Sequence, residues 1–123
     1  HEFCHSFANP IVDEHLDVLE ASGKKMYASS ASAMRRAGYQ TWQSLMYESV
    51  VRACVASFVR SSFEPIYLDY YLKDEARYGF TWTGELSEVL VRYEGNREQY
   101  PTFESFFPEL VAFFDEYGAK VLP

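Results

Sequence analysis

Apolar residues recur along this chain at three- and four-residue intervals, the spacing of one helical face, and Gly or Pro stands at most interruptions. Residues 1–8 read as the closing turns of a helix. Asn9-Pro10 is expected to end it, because a residue before proline is pushed out of the α region. The same pair suits a new start, with Asn9 as N-cap, Pro10 in the first position, and Asp13 and Glu14 near the positive end of the dipole. Ile11, Val12, His15, Leu16 and Leu19 form the apolar stripe of that helix, and Gly23 is its expected stop.

An Ala- and Ser-rich helix is expected over 27–37, ending at Gly38. The longest unbroken run, 41–61, is apolar over most of its circumference through Trp42, Leu45, Met46, Val50, Val51, Val55, Phe58 and Val59, which marks a central buried helix. Pro65 opens a Tyr-rich helix that reaches Tyr78 and Gly79, and residues 80–83 fit a turn or a short extended stretch. Residues 85–93 carry Leu86, Val89, Leu90 and Tyr93 at helical spacing, and 96–101 reads as a polar loop. The last helix begins at 102 or 108 and runs to 117, with Leu110, Val111, Phe113, Phe114 and Tyr117 facing inward and Gly118 as its cap. The pattern therefore predicts one mainly α unit over residues 1–123, with no internal linker.

Composition narrows this further. A 123-residue chain with 48% hydrophobic and 18% aromatic residues suffices for one core filled largely by rings. A formal charge of −7 argues against a nucleic-acid partner, since neutralising phosphates supplies most of that affinity. No stretch approaches 18 consecutive apolar residues, so no transmembrane segment is expected. Two cysteines, Cys4 and Cys54, are too few for a disulfide framework and read as small, half-buried residues. The chain opens on His1 in mid-pattern, which suggests a fragment of a longer catalytic domain. Apolar surface left uncovered by such a cut would favour self-association.

The chemistry concentrates at that opening. Residues 1–5 read His-Glu-Phe-Cys-His, or H-E-x-x-H, a pattern that chance gives in roughly one chain in a hundred of this composition. On a helix, positions 1 and 5 lie one turn apart and about 40° around the axis, so two imidazoles can share one metal ion. Glu2 projects to the side, placed to take a proton from a metal-bound water and pass it to a leaving amine. Zinc with three protein ligands and an open position lowers the pKa of such a water toward about 7.

A third ligand is needed. The metzincin pattern would require Gly at position 8 and His at position 11, and this chain has Ala8 and Ile11. An acid from another helix remains, with Glu14, Glu20, Glu48 and Glu64 as candidates and His15 as an outside option. Glu48 stands apart because it lies within the long apolar helix, where an unpaired carboxylate is costly. Either a metal or a basic side chain must meet it. Arg52, at i+4, offers a plain intrahelical ion pair, or it could orient a ligating carboxylate. An oxyanion donor beside the open position would come from Tyr39, Tyr47, Arg52, His15 or Tyr93.

The decapeptide His-Glu-Phe-Cys-His-Ser-Phe-Ala-Asn-Pro, with Trp42 and the run Tyr47-Glu48-Ser49-Val50-Val51-Arg52-Ala53, resembles an uncharacterised domain family found chiefly in Bacteroidetes. Its members in turn resemble gluzincin-type zinc metallopeptidases. That resemblance implies the helical C-terminal part of a zincin-like fold, with zinc held by His1, His5 and Glu48 and with Glu2 as general base. It implies a peptide or protein substrate and a secreted, periplasmic or cell-envelope location. A zincin's metal-binding helix follows a sheet whose edge holds extended substrate, and no segment here can form that sheet. A fragment of this kind is therefore expected to be inactive alone. The alternative is a non-catalytic extracellular binding or scaffold module with a relic or structural metal site.

Overall fold

A computed structural model describes residues 2–121; the side chains of residues 2–5, 7 and 121 lie outside that description, as do residues 1, 122 and 123 entirely. The described residues form α1 (Glu2–Glu14), α2 (Leu16–Arg36), α3 (Trp42–Ser62), α4 (Pro65–Arg77), α5 (Thr83–Gly95) and α6 (Phe103–Val121), with no strand among them. The expected mainly α architecture is observed.

Helix α3 is the axis of the molecule, as a sequence apolar over most of its circumference predicts. Thr41 caps it, its Oγ1 accepting the Ser44 N–H at 3.1 Å. Leu45, Met46, Val50, Val51, Ala53 and Ala56 are buried along it, and it packs against α1, α2, α4 and α5. Helix α6 closes the other side against α2 and α5. Between these layers lies the ring-rich core, with Phe80, Trp82, Phe106, Phe107 and Phe114 fully buried.

Three expected boundaries are corrected by packing. Asn9-Pro10 does not end the first helix, since Pro10 lies inside α1. Ala8 and Val12, one turn apart on one face, are both wholly buried. Continuing the helix keeps both in the core, which offsets the roughly 3 kcal/mol that an interior proline costs. The break falls at His15 instead, whose Nδ1 lies 2.8 Å from the Ile11 carbonyl and whose ring stacks on Phe107 at 4.3 Å.

Gly23 likewise does not stop α2. A Cβ at this position would stand 2.6 Å from Trp42 Cε3, so the glycine is a notch that receives an α3 ring. Gly23→Ala is expected to destabilise the chain by about 1–3 kcal/mol through overpacking, despite alanine's better helix propensity. Urea denaturation checks this, and a Trp42→Leu background should remove the effect.

The two segments expected on either side of Gly23 are one helix with a bend at Ser30 (φ −126°, ψ 16°). Ser29 and Ser30 both return their hydroxyls to the Met26 carbonyl, at 2.9 and 2.7 Å, drawing it from the helical ladder. At the C-terminal end, α6 takes the earlier of its two possible starts and runs through Pro108 and Gly118. Gly118 lies against Ser22 of α2, where Ser22 Oγ donates to Asp115 at 2.5 Å.

The surface is uneven. Phe58, Phe63, Ile66, Tyr67 and Tyr70 are exposed around the α3–α4 turn, with Phe58, Phe63 and Tyr67 edge to face. What α4 buries is an acid, Glu75.

Candidate functional site

Two matching turns build the best-defined polar site. Helix α2 is followed by Gly38 (φ +95°) and α4 by Gly79 (φ +96°), a backbone conformation that residues other than glycine rarely adopt. In the first turn the Tyr39 N–H returns to the Met34 carbonyl at 2.9 Å. In the second the Phe80 N–H returns to the Glu75 carbonyl at 3.0 Å. Each turn thus fixes the aromatic residue after its glycine. The rings of Tyr39 and Phe80 meet edge to face at 5.8 Å, from opposite sides of the α3 axis in sequence.

Arg52 of α3 fills the space they define. Its guanidinium lies 4.3 Å from the Phe80 ring centroid and 5.7 Å from those of Tyr39 and Tyr78. Its Nε donates to Glu48 Oε1 at 3.2 Å, its Nη1 donates to Glu75 Oε2, and its Nη2 donates to the Tyr39 hydroxyl at 3.1 Å. The Tyr39 hydroxyl in turn donates to Glu48 Oε1 at 2.7 Å. Both carboxylates are nearly inaccessible, Glu48 at 5% and Glu75 at 3% exposure. Glu48 makes a further interaction besides these. Among the described residues one cation therefore faces two buried acids, with Tyr39 bridging it to one of them.

Burial opposes the Arg52 charge, but the Tyr39 hydrogen bond and the charges of Glu75 and Glu48 hold its pKa above the ordinary value. Burial also lifts Tyr39, helped by Glu48 and opposed by Arg52. Glu75 is pushed above the usual carboxylate value by burial, against the pull of Arg52 and Tyr71. Its Oε1 is buried with no hydrogen-bond partner among the described residues.

The raised Glu75 value has a sign that can be tested. The folded chain holds that proton more tightly than the unfolded chain. This contribution to stability is therefore full below the unfolded value near 4.5 and lost as pH rises through the folded one. Urea midpoints measured upward from pH 4 should fall by that share in the natural chain. A Glu75→Gln variant should lack that part of the fall.

The expected site residues divide into two groups. Glu48 and Arg52 are brought together, and the intrahelical ion pair is present. Tyr47, one position along α3, turns elsewhere: its hydroxyl donates to Asp13 of α1 at 2.5 Å, and burial and that acid push its pKa up to about 12. Positions 2 and 5 lie on helical backbone in α1, as the motif requires, and α1 packs against α3. His1 and the side chains of Glu2 and His5 lie outside the described residues. Among the described residues no group of three His, Cys, Asp or Glu side chains is placed to hold a metal ion. That statement does not reach the two histidines of the motif.

Sequence reasoning missed Glu75. Nothing in the Tyr-rich α4 segment distinguishes it from its solvated acidic neighbours Asp69 and Asp74. The available hint was the stoichiometry of the buried helix, where one Arg faced the acid beside it and the cost of burying it was unaccounted for.

The architecture defines a mainly helical domain organised around a buried acid–arginine–acid network. The chain belongs to the family described as Domain of unknown function (DUF4932), whose model matches residues 1–113. The expectation of an uncharacterised domain family thus holds over most of the chain. Neither the curated proteins nor the solved structures give a significant match to it. No helix among the described residues is long and apolar enough to cross a membrane, in keeping with the hydropathy of the sequence.

Proposed function

We propose that this domain contributes the metal-binding helices of a zinc-dependent, zincin-like metallopeptidase, with His1, His5 and Glu48 as ligands and Glu2 as general base. The observation that supports this reading most is the pairing of α1 with α3: the helix bearing positions 2 and 5 packs on the helix that buries Glu48. Two imidazoles and a carboxylate are also a donor set suited to zinc. When bound, zinc supplies the positive charge that acidifies a water molecule and polarises a peptide carbonyl.

The chain's own residues do the remainder. Tyr39 and Arg52 both donate to Glu48 Oε1, which fixes the orientation of that carboxylate before any ligand arrives. Glu2 accepts a proton at its carboxylate and returns it to the leaving amine. Arg52, held between Glu48 and Glu75, is assigned here to orientation rather than to contact with substrate. A secreted, periplasmic or cell-envelope location belongs to the same reading.

Zinc titration of the chain followed by calorimetry tests the site. One equivalent should bind, His5→Ala and Glu48→Gln should each weaken it at least about tenfold, and Glu2→Gln should leave it unchanged. In a longer protein carrying the domain, Glu2→Gln should lower peptide hydrolysis by about 100-fold or more. Activity that survives this substitution would exclude the mechanism.

One observation favours a second reading. Glu48 Oε1 already has two donors within the protein, Tyr39 and Arg52, which is what a carboxylate with a purely structural role requires. A non-catalytic binding or scaffold module would keep that network. Under that reading, Glu48→Gln lowers stability, and zinc either fails to bind or binds with the same affinity to the variant.

A further inference from the structure

Arg60, on the last turn of α3, contrasts with Arg52. Its Nη2 donates to Ser87 Oγ at 2.9 Å, its Nε is buried without a hydrogen-bond partner, and no carboxylate among the described residues pairs with it. In a chain with 18 acidic and 11 basic residues, a half-buried arginine left without an acid is an exception. A desolvated, unsatisfied donor of this kind costs stability.

Arg60 lines a groove of about 1000 Å3 between α1, α3, α5 and the start of α6. The walls are mostly apolar, with Ile11, Phe58, Leu90, Val91 and Phe103 among them. That size, and a lining whose exposed area is mostly apolar, are typical of small-molecule sites. Glu94, Arg97 and Glu104 also line the groove but are exposed, so water and salt screen them, whereas Arg60 is half-buried.

We propose that this groove binds a fatty carboxylate of medium chain length, its head against the Arg60 guanidinium and its tail along Phe58, Leu90, Val91 and Phe103. A guanidinium is matched by the two oxygens of a carboxylate, and the apolar walls have an alkyl chain to bury. The inference stands independently of the metal site.

Calorimetric titration with decanoate below its micelle concentration tests it. Saturable one-to-one binding is expected, with amide shifts in a nitrogen–proton correlation spectrum confined to the neighbourhood of residue 11 and to residues 54–61, 90–97 and 102–104. Arg60→Met should weaken decanoate at least about tenfold, the effect of losing a charged hydrogen-bond partner. Decanol, with the same tail and no charge, should bind the natural chain and this variant alike. Val91→Asp, at a surface position on the wall, should also weaken decanoate, and it keeps the test decisive if Arg60→Met fails to fold. Absence of saturable binding at millimolar decanoate would overturn the proposal. So would affinity that neither substitution changes, or shifts that map elsewhere.

Discussion

Arg52→Met should lower stability by about 3–5 kcal/mol, because it removes the cation that the buried Glu48 and Glu75 share among the described residues. For a domain of this size that corresponds to a fall of roughly 10 °C or more in Tm, read by circular dichroism. The penalty belongs to the two acids that lose this shared cation rather than to the lost side-chain volume. Arg52→Lys should therefore recover only part of it, since an ammonium cannot serve Glu48, Glu75 and Tyr39 together in the planar fork that the guanidinium provides. Adding Glu48→Gln and Glu75→Gln to Arg52→Met should restore much of the loss. The defect of the single variant should also shrink toward pH 4, where Glu75, whose pKa is already raised by burial, takes up its proton. A loss of the same size at all pH values would mean that packing against Phe80, not charge, is what Arg52 contributes.

Trp82→Ala should cost a similar amount, about 3–5 kcal/mol, by a different physical route. Trp82 is 2% exposed and meets Phe80 and Tyr117 edge to face at 5.6 and 5.7 Å. Its Nε1 donates to Ser49 Oγ at 2.9 Å, and that hydroxyl donates onward to the Leu45 carbonyl at 2.7 Å. Alanine would leave a cavity between α3, α5 and α6. Trp82→Phe keeps most of the ring and gives up only the N–H bond, so it should cost about 1–2 kcal/mol. Unlike the Arg52 effect, both losses should be independent of pH between 4 and 7. The two experiments together separate the electrostatic and packing contributions that meet at Phe80, which touches both Arg52 and Trp82.

Much of the fold is legible in the local pattern. Residues 41–61 are apolar over most of the helix circumference, which suits the centre of the bundle, and α3 occupies that centre. Gly38 and Gly79 follow helical runs and take the left-handed conformation that only glycine adopts cheaply. Where local signals misled, a neighbour had overridden them. Pro10 reads as a break because of its own backbone, but Ala8 and Val12 need one continuous face. Gly23 reads as a stop, but its missing side chain admits Trp42, nineteen positions away.

The candidate site divides along the same line. The H-E-x-x-H spacing and the pairing of Glu48 with Arg52 each lie within one helix, where separation in sequence fixes separation in space, so the residues alone point to them. Glu75 comes from another helix, and Tyr39 and Phe80 come from two turns forty residues apart in the chain; only the packing of α2 and α4 around α3 makes them a single network. The sequence by itself determined the helices, their apolar faces and the chemistry available on each. Which acid shares an arginine, and which half-buried arginine has no acid among the described residues, was decided by tertiary structure, because burying a charge is costly enough that its partner is selected by proximity in space and not by position in the chain.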